Sequence, residues 1–218
     1  NFTRKEVNKN FVSNQCSLKY QNELRDELLS NPNSITIIGS RLPTYLTGTA
    51  FDNKEGGIEI HEGLKFEFKH IKDEYDFRKG IQVSIIELLE NNNKVILVYP
   101  IPAVGWNVPN KLFHDTPKRY IKEIKKNFNE NPITTSYKVY KERTKESFEI
   151  YNQIQHKNIY RVYPHTVFCN NKIKDRCVTH DDKNIFYYDD DHLSSAGSAM
   201  VIDLIMKQIK KIELELNQ

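Results

Sequence analysis

The chain reads as an α/β protein: a mostly parallel open sheet covered by helices on both faces, a three-layer α/β/α sandwich. Three observations predict this. Apolar residues recur at helical spacing in four segments, short apolar runs of strand type lie between them, and the two kinds alternate along the chain. Such alternation feeds parallel strands through right-handed crossovers, because a strand re-entering a sheet in the same direction needs a helix-length connection.

The elements follow in order. Leu18, Leu24, Leu28 and Leu29 form one stripe that stops at Asn31-Pro32, so a helix is expected there. SITIIGS (Ser34 to Ser40) is apolar and rich in β-branched residues, the pattern of a strand buried on both faces. After a turn-rich link, IEIHEGLKFEFKH alternates on either side of Gly63 and is expected to be a hairpin excursion from the main sheet. Phe77, Ile81, Ile85 and Leu88 mark a second helix, stopped by Asn91-Asn92-Asn93, and KVILVYP (Lys94 to Pro100) is a second buried strand.

A long helix is expected over about Ser136 to Gln155, with Val139, Phe148, Tyr151 and Ile154 facing the core. NIYRVYPHTVF supplies a third strand. The last helix carries Val201, Leu204, Ile205, Ile209 and Ile212 on one stripe, with Ser194 or Ser195 as its N-cap. The series opens on a helix, whereas doubly wound folds normally begin with a strand. Either the first strand lies upstream of this chain or the sheet starts with a helix; periodicity fits both.

Composition narrows the function classes. At 218 residues the chain suits one domain, residues 1–218. Its formal net charge of +3 is nearly balanced, and the densest basic run, KRYIKEIKK, alternates with apolar residues as a solvated helix face does. No nucleic-acid partner is expected. No stretch approaches a membrane span, and no signal peptide opens the chain. Cys169 and Cys177 enclose a polar loop, CNNKIKDRC, whose length suits a disulfide in an oxidising compartment and equally two free thiols; CxxC metal spacing is absent.

The chemistry concentrates in FYYDDDHLSSAGSA, Phe186 to Ala199. Asp189 and His192 stand three residues apart before a helix, close enough for the carboxylate to reach the imidazole. An aspartate on one ring nitrogen fixes the tautomer and leaves the other nitrogen free as a general base. The open α/β order would put the pair at the C-terminal edge of the sheet, where such folds bind substrates. Two other readings fit the same residues. Acidic residues before a helix compensate its macrodipole. A metal site could draw on His180, Asp181, Asp182, Asp189, Asp191 and His192, although all come from one turn with no second ligand cluster. Asp190 and Asp191 read as spacers and solvated charge, and His114, His156 and His165 as surface or loop histidines.

The string Tyr187-x-Asp189-x-x-His192-Leu193-Ser194-x-x-Gly197 resembles the last motif block of SGNH (GDSL-like) hydrolases. More narrowly, the chain is similar to the SGNH domains at the C-terminus of membrane-bound acyltransferase-3 proteins. These carry a cysteine pair shortly before that block, as Cys169 and Cys177 stand here. ITIIGSRLPTYLTG, with Arg41, Tyr45 and Gly48, and KVILVYPIPAVGWNVP resemble earlier blocks of the same domains. The resemblance implies the SGNH fold, with a flavodoxin-like sheet, and a Ser–His–Asp mechanism with His192 and Asp189 in their roles. Gly39 and Arg41 would serve oxyanion or substrate binding. Asn107 lies in the loop where the family's third block offers an asparagine, and Trp106 beside it reads as a wall of the cleft or core. The family's Gly-Asp-Ser block occurs nowhere in this sequence. That departure, the unpaired Cys16 and the opening helix together fit a chain truncated at its N-terminus; the alternative nucleophile is Ser40.

Three functions follow from the resemblance. The first is an extracytoplasmic O-acyltransferase that moves an acyl group, acetyl foremost, onto a cell-surface glycan or lipopolysaccharide hydroxyl. Its partners would be that acceptor, an acyl donor and an attached membrane acyltransferase domain, with no metal or organic cofactor. The second is a carbohydrate esterase or lipase in which water takes the acyl group. The third is a non-catalytic glycan-binding domain.

Overall fold

The computed structural model describes residues 18–59, 74–113, 126 and 130–217. The expected hairpin beyond Glu59, the basic run before Lys126, Cys16 and His114 lie outside the described residues. Helix α1 (Leu18–Ser30) leads into β1 (Ile35–Gly39), short α2 (Leu42–Thr47), α3 (Glu74–Glu90) and β2 (Lys94–Val98). Then come α4 (Val108–Phe113), β3 (Thr134–Ser136), α5 (Tyr137–Gln153) and β4 (Ile159–Val162). Short α6 (His165–Phe168), β5 (Arg176–Val178) and the long α7 (Ser195–Leu216) complete the order.

Strands β1, β2 and β4 form a parallel sheet in that order, with Gly39 opposite Val98 and Val98 opposite Val162. The period-2 alternation of β2 divides the core. Val95, Leu97 and Tyr99 pack with Ile85, Leu88 and Leu89 of α3 and with Ile150 and Tyr151 of α5. Ile96 and Val98 face the other way, with Tyr160 and Val162 of β4, onto Val201 and Ile212 of α7. This is the expected three-layer α/β/α sandwich with a parallel sheet. A two-stranded antiparallel ribbon, β3 with β5, lies beside it, and the disulfide Cys169–Cys177 ties the loop ahead of β5 to that strand.

The breakers act as their chemistry predicts. Asn92 takes a left-handed backbone (φ 66°) after α3, and fully buried Asn93 accepts hydrogen bonds from the Ser34 N–H (3.1 Å) and hydroxyl (3.2 Å). One side chain thereby joins the start of β1 to the start of β2. The Ser136 hydroxyl accepts from Val139 N at the head of α5 (3.3 Å). Two expectations need correction. β1 is buried on one face only: Thr36 is buried, but Ile35 and Ile37 are 38% and 50% exposed, because α7 covers β2 and β4 and, among the described residues, β1 is the sheet edge. His165 is no ordinary surface or loop residue; its half-buried ring packs among Tyr137, Tyr140, Phe148 and Tyr163, and burial lowers its pKa.

Candidate active site

Several residues of the Phe186–Gly197 stretch fasten it to the fold. Tyr187 is fully buried, and its hydroxyl donates to the Pro102 carbonyl (2.7 Å). Ser194 caps α7 by accepting from Gly197 N (3.2 Å), while its hydroxyl donates to Ile185 O (2.6 Å). Gly197 lies so close to the Phe186 carbonyl that a Cβ would fall 2.1 Å from its oxygen. The turn docks on the loop that follows β2: Val104 N and Gly105 N donate to Asp190 O (3.0 and 3.1 Å), and Val108 N donates to Asp189 O (3.2 Å). The pair is therefore held at the C-terminal edge of the parallel sheet.

Asp189 both shapes the turn and aims the ring. Its Oδ1 accepts from the backbone N–H of Asp191 (3.0 Å) and His192 (2.7 Å), an Asx-turn, and its Oδ2 lies 2.9 Å from His192 Nδ1. The three-residue spacing works through this turn, not through a helix face. Partial burial pushes the Asp189 carboxyl up, but the two N–H donors and the imidazole outweigh it and hold it below the ordinary carboxylate value. The hydrogen bond to Asp189 raises the His192 pKa, with help from Asp191 and against burial and Arg41. The His192 side chain is 67% exposed, and among the described residues nothing hydrogen-bonds its Nε2. On so exposed a side chain Nε2 is left available to take a proton from a bound group.

Arg41 follows Gly39 and Ser40 at the end of β1 and reaches the same site. Its Nη2 pairs with Asp191 Oδ2 (2.8 Å) and with Glu59, whose side chain is 2% exposed. Asp191 Oδ1 in turn lies 3.0 Å from His192 Nδ1. Asp191 is thus no solvated spacer: its side chain is 10% exposed and bridges the arginine and the histidine. Burial raises its pKa, and the charges of Arg41 and His192 only partly offset that. Gly39 ends β1 beside Val98 with ordinary clearance. The Ser40 hydroxyl points elsewhere, 3.3 Å from Tyr151 OH, and among the described residues no serine hydroxyl hydrogen-bonds His192.

Sequence reasoning missed the loop Phe51–Glu59, which brings Glu59 to Arg41. Asn53 is fully buried; its amide donates to Val104 O (2.9 Å), and its Oδ1 accepts from Glu55 N and Gly57 N (2.8 and 2.9 Å). Glu59 Oε2 accepts from Phe51 N (2.9 Å), and Glu55 forms a two-pronged ion pair with Arg176 of β5. The available signal was the Asn and two glycines of FDNKEGG, which mark a tight, side-chain-bonded turn. Asn107 caps α4 instead of facing the base, accepting from Asn110 N (3.0 Å), and Trp106 packs on Gly57 under Lys111.

Ligand atoms of Asp189, Asp191 and His192 all lie within 4.8 Å of one another. A cation there would compete with Arg41 for Asp191 and with the ring for Asp189. His180, in the sequence-derived metal set, is buried apart from them, its Nε2 accepting from Ile133 N (3.2 Å).

Fold and site together define an α/β/α domain that presents an aspartate-oriented histidine at the carboxyl edge of a parallel sheet. The chain belongs to the SGNH domain family, the SGNH domains fused to AT3 domains, whose family model matches residues 2–207. Among solved structures it is similar to the periplasmic domain of a lipopolysaccharide acetyltransferase from Salmonella ser. Paratyphi A. The TM-score is 0.51 at 15% identity, over 88% of this chain and 62% of that one. At that identity the likeness shows the shared fold, and the chain spans less than two thirds of that domain. No curated protein matches it by sequence.

Proposed function

We propose that this domain carries the acid–base half of an extracytoplasmic O-acyltransferase, moving an acetyl-type acyl group onto a glycan hydroxyl. The observation that carries the reading is the His192 ring, fixed at Nδ1 by Asp189 and open at Nε2. A serine nucleophile loses its proton to Nε2 as it attacks the acyl carbonyl. The tetrahedral oxyanion collapses to an acyl-serine, and the imidazolium returns its proton to the departing donor oxygen. His192 then takes the proton of the acceptor hydroxyl, which attacks the acyl-serine, and the serine regains its proton as the new ester forms. Asp189 holds the tautomer and stabilises the imidazolium in both halves. In this reading Arg41, held through Nη2 by Glu59 and Asp191, and the end of β1 at Gly39 serve the oxyanion or substrate.

Ser40, paired with Tyr151, is not the serine of this reading. That role falls to the Gly-Asp-Ser block of the family, which this sequence does not contain. Membership among AT3-fused domains and likeness to a periplasmic domain support donor delivery by a membrane acyltransferase partner on the outer side of the membrane. The disulfide fits an oxidising compartment.

The test supplies the complete gene product with a labelled acetyl ester, with and without glycan acceptors. Label on the glycan, with little free acetate, is expected. Free acetate that no glycan suppresses makes the domain an esterase. Absence of both products from a folded complete protein rejects catalysis.

A further inference from the structure

His192 Nδ1 faces two carboxylates, and only one of them belongs to the pair just assigned. Asp189 Oδ2 shares a hydrogen bond with Nδ1 at 2.9 Å, and Asp191 Oδ1 lies at ion-pair distance, 3.0 Å, without a hydrogen bond while Asp189 holds the ring. The second is not free to drift. Arg41 holds its other oxygen at 2.8 Å, and Arg41 is itself paired with buried Glu59. Glu59 is fastened through its other oxygen to the Phe51 N–H (2.9 Å). The loop carrying Glu59 is locked by Asn53 to Val104, and Val104 N in turn donates to Asp190 O. The chain of contacts thus closes on itself: loop, arginine, Asp191, histidine turn, the segment after β2, and the loop again.

We propose that Asp191, braced by Arg41 and Glu59, is a second positioning residue for His192, able to keep the Nδ1–H tautomer when Asp189 cannot. The idea rests on His192 acting as the base. A buried carboxylate beside an imidazole is worth keeping ionised only if a cation holds it so, and Arg41 is placed to do that. Asp189 alone would leave the ring dependent on one exposed turn. The brace ties it instead to the end of β1 and to a loop packed into the core. The charged groups facing the ring are Asp189, Asp191 and Arg41, with Glu59 behind Arg41 and Asp190 beside Asp191.

The test reads the ring directly and does not depend on turnover, so an inactive chain leaves it valid. The protein is labelled with nitrogen-15 histidine, His192 is assigned by its loss in His192→Gln, and the neutral tautomer is read from its two ring nitrogens. Asp189→Asn offers Nδ1 an amide N–H, which alone would force the Nε2–H form. With Asp191 as second acceptor, the ring stays mainly Nδ1–H in Asp189→Asn and loses that form in the Asp189→Asn/Asp191→Asn double variant. Arg41→Gln in the Asp189→Asn background is expected to lose it too. Unchanged resonances of buried His180 certify the fold in each case. A switch to Nε2–H in Asp189→Asn alone, or a double variant that keeps Nδ1–H, overturns the role of Asp191. Retention of Nδ1–H in Asp189→Asn/Arg41→Gln overturns the brace.

Discussion

Gly197→Ala sets two physical effects against each other, and magnitude decides the sign. Alanine is the better helix former, by up to about 1 kcal/mol in a helix interior. Packing acts in the opposite direction. The new methyl would lie 2.1 Å from Phe186 O, 3.0 Å from the carbonyl carbon and 3.1 Å from a Leu193 methyl. The obstacle is backbone, so relief requires the turn and α7 to separate, an overpacking cost of about 1–3 kcal/mol. Phe186 O also accepts from Ser194 N (2.9 Å), and weakening that bond costs about 1 kcal/mol more. The net expectation is a loss of about 2 kcal/mol, or about 4–8 °C in Tm for a chain of this size. Thermal unfolding followed by circular dichroism measures it. An unchanged or raised Tm refutes the close approach of the Asp-His turn to α7, on which the placement of His192 depends.

Other substitutions probe separate links. Because its pKa is raised, His192 loses its neutral, proton-accepting form as pH falls through a value above the ordinary 6.5, so the acid limb of a pH–rate profile is expected above that point. Asp189→Asn should move the limb of the remaining activity downward, and a limb that stays in place separates Asp189 from the base. Asn53→Ala removes three hydrogen bonds from a fully buried site and is expected to cost about 2–4 kcal/mol, read from the urea midpoint. A neutral result means the 51–59 loop is not locked onto Val104. Replacing Cys169 and Cys177 together by serine opens a short loop and is expected to cost about 2–3 kcal/mol on chain-entropy grounds, with a matching fall in Tm.

What could be read from the sequence was local and repeated. The helices α1, α3, α5 and α7, the apolar run of β2 and the Ser194 cap each declare themselves within a few residues, although Leu24 of the stripe expected on α1 is 43% exposed. Asp189 and His192 belong with these, since one Asx-turn makes their contact. The exposure of β1 was not legible, because Ile35 and Ile37 differ from the β2 residues only in where α7 ends up. β3 and β5 are three residues each, too short to show a period. Asp191 looked like a spacer because its partner Arg41 stands 150 positions away, and Glu59 had no visible role because it meets Arg41 only through the fold of the loop between them. Contacts across such separations are set by the sheet order, and the pattern within each segment carries no record of them.

The role of His192 as the base is tested most directly by His192→Gln in the complete protein, with transfer of labelled acetyl to the glycan measured beside the parent at equal amounts of folded protein. Glutamine keeps hydrogen-bonding capacity and leaves no base, so transfer is expected to fall by about 10²–10⁴-fold. Transfer that continues at the parent rate contradicts the assignment and returns the Asp189–His192 turn to a structural role.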